Sequence, residues 1–122
     1  MGELFMTQHY YIRNLFAQHG LMPNERFMNG LTLVCSITGC GAEQALSDSR
    51  EVPAPYTRHL WFWYMKLWGF SEQEIAAITG MKRAGIARGI EAVNDKKVIP
   101  YVEADTAELR KHAESQMHGL KG

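Results

Sequence analysis

Apolar residues recur at spacings of three, four and seven along most of the chain, the period of amphipathic helices. Over residues 3–19, Leu4, Tyr11 and Leu15, joined by Phe5, Ile12 and Phe16, form one broad apolar face that Gly20 ends. Pro23 and Asn24 restart the chain. The Asn24 side chain suits the N-cap of a helix over 25–37 that turns Phe27, Leu31, Val34 and Cys35 inward. Gly39 and Gly41 close that helix, and a short one follows over 42–47. Residues 47–55, SDSREVPAP, are polar with two prolines and read as the clearest loop. Pro55 fits the first turn of the next helix, where a missing N–H costs nothing. That helix, 55–68, is apolar nearly all round and belongs at the centre of the core. Its aromatic residues Trp61, Phe62, Trp63, Tyr64 and Trp68 are expected to be core rather than stacking surfaces for bases or a partner.

Beyond Gly69 the chain is organised around residues 71–90, SEQEIAAITGMKRAGIARGI. Ser71 with Glu74 three residues on makes a capping box, so a helix starts at 72. Ile75, Ala76 and Thr79 share one face, and Glu72 and Glu74 point to solvent. Gly80 breaks the run, Met81 plugs the angle, and Ile86 and Ile90 give a second helix, running to about 95, its apolar stripe. Ala76 is small enough to let two steeply crossing helices approach. The order Ile75, Ala76, Gly80, Met81, Ile86 resembles the helix-turn-helix of groove-reading proteins, with Lys82, Arg83, Ala84, Ala87, Arg88 and Glu91 facing outward. The plainer reading is a helical hairpin packed in a core. Residues 98–101, with Pro100, read as a connector, and Asp105 with Glu108 as the cap of a last helix to about 118 carrying Leu109, Ala113 and Met117.

The expected fold is therefore all-α, one multi-helix domain over 1–122. Its core spans 24–97, its helix-turn-helix 71–95, its N-terminal helix 1–23, and a C-terminal helix or tail 98–122. A chain of 122 residues with 46% hydrophobic content can bury such a core without staples.

Charge sharpens the picture. The formal net charge is zero, against the basic surplus usual in nucleic-acid-binding domains. Yet between Lys82 and Lys97 five basic residues (Lys82, Arg83, Arg88, Lys96, Lys97) face two acidic ones, Glu91 and Asp95. The two cysteines, Cys35 and Cys40, lack metal or redox spacing and read as buried or semi-buried thiols of a reducing compartment. No apolar run reaches a membrane span's length and no signal pattern opens the chain, so a cytoplasmic location is expected. The histidines His9, His19, His59, His112 and His118 share no metal-ligand spacing. Asp48, Glu51 and His59 read as solvated or capping groups, so neither enzyme activity nor a cofactor or metal is expected.

From about 33 to 97 the chain resembles the C-terminal DNA-binding domain of DnaA, the bacterial replication initiator, whose fold class is that of the Trp repressor. The resemblance rests on VCSITGCGAEQALS for the first helix and the short one after it, on SREVPAPYTRHLWFWYMKLW for the basic loop and long helix, and on GFSEQEIAAITG for the first half of the helix-turn-helix. It implies that Arg50 holds the place of the basic-loop arginine that reaches the minor groove, and Arg58 that of a second arginine at the start of the long helix. The second motif helix departs from the family: Lys82-Arg83-Ala84-Gly85-Ile86 stands, one residue shorter, where an Asp-His-Thr-Thr-Val-like run would read the origin repeat. Origin binding is therefore not implied. No Gly-x-x-x-x-Gly-Lys-Ser/Thr loop exists, so ATP-driven initiation is not expected.

The expected function is sequence-specific binding of double-stranded DNA, as a small regulator or an accessory factor of replication or a mobile element. Arg50, Arg58, Lys82, Arg83, Arg88 and Lys96 are the expected contacts, with arginine forks suited to guanine and phosphate contacts weakening with salt. A homodimer or a protein partner is compatible with this, whereas a membrane or nucleotide partner is not expected. The alternative is a helical protein-interaction module that kept the fold and lost DNA binding.

Overall fold

The aromatic-rich helix forms where its apolar run predicts and becomes the axis on which the others pack. In the computed structural model, which describes residues 2–121 and the side chains of 10–117, the described residues form seven helices and no strand. These are α1 (Gly2–Gln18), α2 (Glu25–Thr38), α3 (Ala42–Leu46), α4 (Ala54–Leu67), α5 (Glu72–Thr79), α6 (Arg83–Asp95) and α7 (Pro100–Lys121). Leu4 and Phe5 of the first predicted face, and His9 and His118, lie outside the residues whose side chains are described.

Pro55 stands in the first turn of α4, and Leu60, Trp61 and Met65 are fully buried along it. Trp61 takes the edges of Phe16 from α1 and Phe27 from α2, each at 6.0 Å between ring centres, and its Nε1 donates to the Phe27 carbonyl at 3.0 Å. The indole thus buries its apolar body and still satisfies its one donor. Each fully buried large apolar side chain of this kind stabilises the fold by about 1.5–3 kcal/mol.

Local signals set the ends. The Asn24 side chain accepts from the Phe27 N–H at 3.1 Å and starts α2, while Phe27, Leu31 and Val34 go inward as expected and Cys35 is half-buried. Ser71 and Glu74 form the reciprocal capping box that starts α5. At the α5–α6 turn Gly80 takes φ 71°, a left-handed conformation that only glycine adopts cheaply. The buried Thr79 hydroxyl closes this turn, donating to the Ile75 carbonyl at 2.7 Å and accepting from the Met81 N–H at 3.2 Å. Ala76 and Met81 pack against the core, and Ile86, Ile90 and Val93 bury one face of α6.

Two expectations are corrected. The last helix is not capped at Asp105: it begins at Pro100, whose missing N–H is free at a first position. Asp105 sits inside α7, where its carboxylate accepts from the Tyr56 hydroxyl at 2.7 Å. On α1, Ile12, Leu15 and Phe16 are buried on the stripe that meets α2, α3 and the Trp61 ring of α4, but Tyr11 lies off that stripe and is half exposed.

Candidate nucleic-acid interface

The outward face of α6 is fixed by its buried one. With Ile86, Ile90 and Val93 against the core, Lys82, Arg83, Gly85, Arg88, Glu91 and Asp95 are left exposed. The positive charge collects at the two ends. Lys82 and Arg83 stand at the N-terminal end, where no side chain caps the first turn and the free N–H groups and helix dipole add positive potential. The guanidinium of Arg83 lies 4.0 Å from Glu72 on α5, which also meets Lys66 at 3.7 Å. Both pairs are too exposed to hold their partners firmly.

Between the ends, a shallow groove of about 590 Å³ is lined by Gly85, Arg88, Glu91, Ala92 and Asp95, with His59 of α4 as its far wall. Arg88 there is the single cation beside two carboxylates. At the C-terminal end Lys96 is exposed and Lys97 lies 5.1 Å above the Trp63 ring, which Arg110 of α7 approaches at 5.5 Å. Trp63 in turn donates to the Asn94 side chain at 3.1 Å, so Lys97 and Arg110 are partly engaged in joining α4, α6 and α7. Burial, then the nearby Arg110, hold Lys97 below the usual lysine range.

The loop between α3 and α4 comes up beside this same end. Val52 and Pro53 of the loop, Pro55, Tyr56 and His59 of α4, Ala92, Val93 and Lys96, and Tyr101 of α7 enclose a cleft of about 250 Å³. The structure therefore brings the Arg50 loop together with Lys96, while Lys82 and Arg83 stand apart at the other end of a helix about 20 Å long. His59 lines both the groove and the cleft. Its ring packs where α6 crosses α4, and burial first, then Arg58 and Lys96, hold its pKa below the ordinary value.

Arg58 does not project from α4 as a free cation. Its Nη1 donates to the carbonyls of Ala45 at 3.2 Å and Ser47 at 2.8 Å, and its Nη2 to that of Ser49 at 2.6 Å. Burial lowers its pKa, with Asp48 and Cys40 opposing the shift. Serines staple the same loop: Ser47 Oγ donates to the Gln44 carbonyl at 2.7 Å and accepts from the Ser49 N–H, and Ser49 Oγ accepts from the Glu51 N–H. Arg50, exposed, rides between these staples.

Sequence reasoning reached Arg50, Lys82, Arg83, Arg88 and Lys96 as exposed cations. It missed the bracket made by Arg58, the place of His59, and the Glu72 partner of Arg83. The alternating serines 47 and 49 were the available signal for the stapled loop, since hydroxyls in such runs bond their neighbours' backbone. Nothing local announces that His59 will meet α6.

Cys35 and Cys40 are both free, and burial, with Cys40 adding, pushes the Cys35 thiol up to about 12, which makes it a poor nucleophile. Among the described residues no group of three His, Cys, Asp or Glu side chains could hold a metal ion, and no helix is long and apolar enough to cross a membrane. No protein-family model, curated protein or solved structure matches this chain.

Proposed function

We propose that the chain binds double-stranded DNA through a helix-turn-helix made by α5 and α6, with the N-terminal end of α6 entering the major groove. One observation carries this reading: Lys82, Arg83 and Arg88 are exposed on a helix whose opposite face is locked in the core, with an open, uncapped first turn beside the first two. In groove readers of this kind the N-terminal residues of the second helix meet the base edges. Arg83 and Arg88 then supply forks for guanine or phosphate and Lys82 a phosphate contact, while Arg50 and Lys96, at the far end of α6, hold the flanking backbone. The resemblance of residues 33–97 to the DnaA DNA-binding domain points the same way, though the missing signature run separates the target from the origin repeat. The protein acts as a small sequence-reading regulator or accessory factor.

Fluorescence anisotropy on a random-sequence duplex pool, at low and at physiological salt, with selection of enriched sequences, tests the reading. Salt-dependent binding and an enriched motif are expected, both lost when Arg83 and Arg88 are changed together to Glu. Unchanged duplex affinity in that double variant would remove α6 from the groove.

A second reading, docking of a protein partner, is favoured by the surface around the 250 Å³ cleft. There Val52 is 88% exposed and Tyr101 58%, with Val98, 86% exposed, three residues before Tyr101. It predicts no duplex binding at any salt. The aromatic residues of α4 do not contribute to it, since Trp61, Phe62, Trp63 and Tyr64 are buried.

A further inference from the structure

Resting on the DNA-binding reading, we propose that Arg58 is a positioning residue that acts through Arg50: it binds the carbonyls of Ala45, Ser47 and Ser49 and so sets the loop that presents Arg50 to the DNA backbone. Three observations carry this. First, both N–H groups of Nη1 and one of Nη2 are already committed to loop carbonyls, at 2.6–3.2 Å. To grip a phosphate with the same atoms, Arg58 would have to release the loop. Second, the three carbonyls come from the end of α3 and from the two alternate residues before Arg50, so one planar fork fixes the backbone over five residues. Third, the loop side completes the same arrangement, since Ser47 Oγ holds the Ser49 N–H at 3.2 Å and Ser49 Oγ holds the Glu51 N–H at 3.2 Å. Arg50 lies between those two bonded amides, so its backbone has little freedom before any ligand arrives. A loop ordered in advance spares the complex the entropy of ordering it on binding.

The reading separates Arg58 from the other cations. A residue that touches phosphate adds its own increment to affinity and to the salt dependence, whatever stands at position 50. A residue that works through Arg50 matters only while Arg50 is present. The uncharged Ser47 provides an independent handle, because Ser47→Ala loosens the same loop and removes no cation.

The experiment is a pair of double-mutant cycles, read by anisotropy on a duplex selected from the random pool. The variants are Arg50→Ala, Arg58→Gln and Ser47→Ala, with the latter two also placed in the Arg50→Ala background. Arg50→Ala is expected to weaken binding by about tenfold, the loss of one good contact. Arg58→Gln and Ser47→Ala each weaken the wild type by roughly threefold or more and leave the Arg50→Ala variant unchanged, which is the coupling expected of residues acting as one unit. Amide exchange at Ser49 and Glu51 rises in both. Far-UV circular dichroism checks folding, and if Arg58→Gln does not fold, the Ser47 cycle decides alone. Equal losses with and without Arg50, or no loss from either loosening variant, overturn the positioning role while the DNA-binding reading stands. If the wild-type chain binds no duplex even at low salt, that reading falls and takes the positioning role with it.

Discussion

Two glycines of α6, four residues apart, show how differently one residue type is used. At Gly89 an added Cβ would lie 2.7 Å from the His59 ring and 3.3 Å from that of Phe62, because α6 touches α4 there. At Gly85 nothing lies within 4 Å. Gly89→Ala should therefore destabilise by about 1–3 kcal/mol through overpacking, and Gly85→Ala should stabilise by up to about 1 kcal/mol through helix propensity. Urea unfolding of the two variants checks both signs, and equal shifts would refute the proposed crossing. The sequence displays both glycines equally inside a helix, and only the tertiary crossing tells them apart. His59, the neighbour at that crossing, gives a pH prediction. Its folded-state pKa is lowered by burial, so below about 6.5 the unfolded chain takes up a proton that the folded chain resists. Stability should fall as pH drops from 6.5 toward the lowered folded value, then level off. Equilibrium unfolding across this window should show a steeper decline in the wild type than in His59→Gln.

At the scale of elements, what was legible is what is local. The caps at Asn24 and Ser71, the proline in the first turn of α4 and the glycine turn after α5 depend on residues within four positions of one another, and the structure has each of them. Ser71→Ala should cost about 1 kcal/mol by leaving the Glu74 N–H without its acceptor, and thermal unfolding reads that loss directly. The start of α7 escapes a local reading for the complementary reason. Asp105 and Glu108 have the spacing of a capping box, but Asp105 is drawn to a partner 49 residues away, the Tyr56 hydroxyl. Burial, then the hydrogen bond to Asp105, raise the Tyr56 pKa well above that of an ordinary tyrosine, so the hydroxyl stays a donor across the neutral range. Tyr56→Phe should loosen the docking of α7 on α4 by about 1 kcal/mol. Faster amide exchange in the first turns of α7 than in α2 would reveal it. Residues 98–101 read as a connector because Pro100 so often interrupts a helix; here it opens one.

For the whole molecule, the distribution of charge decides what it can attract. Thirteen basic and thirteen acidic residues cancel, so the chain carries no net charge to draw it toward a polyanion. On the DNA-binding proposal, attraction comes from where the cations stand, and that is at the two ends of α6 and on the loop beside it. The candidate site was therefore legible as a set of cations and not as a geometry. Composition showed the local surplus between Lys82 and Lys97, but the acidic middle of the groove, with Glu91 and Asp95 beside Arg88, appears only when the helix is placed. Those carboxylates repel phosphate, so the backbone should be gripped at the ends and spared in the centre. Salt dependence measures this. If Arg50, Lys82, Arg83, Arg88 and Lys96 all met phosphates, the logarithmic slope would approach about −4.5, and doubling the salt would weaken binding roughly twentyfold. If only the four end cations grip and Arg88 serves a base or nothing, the slope is nearer −3.6 and the same step costs roughly twelvefold. Arg88→Ala should then leave the slope unchanged, and Lys96→Ala should lower its magnitude by about 0.9. Glu91→Gln should strengthen binding to every duplex alike, since it removes a repulsion that carries no sequence information. A tighter complex with only one sequence would mean that Glu91 itself reads a base.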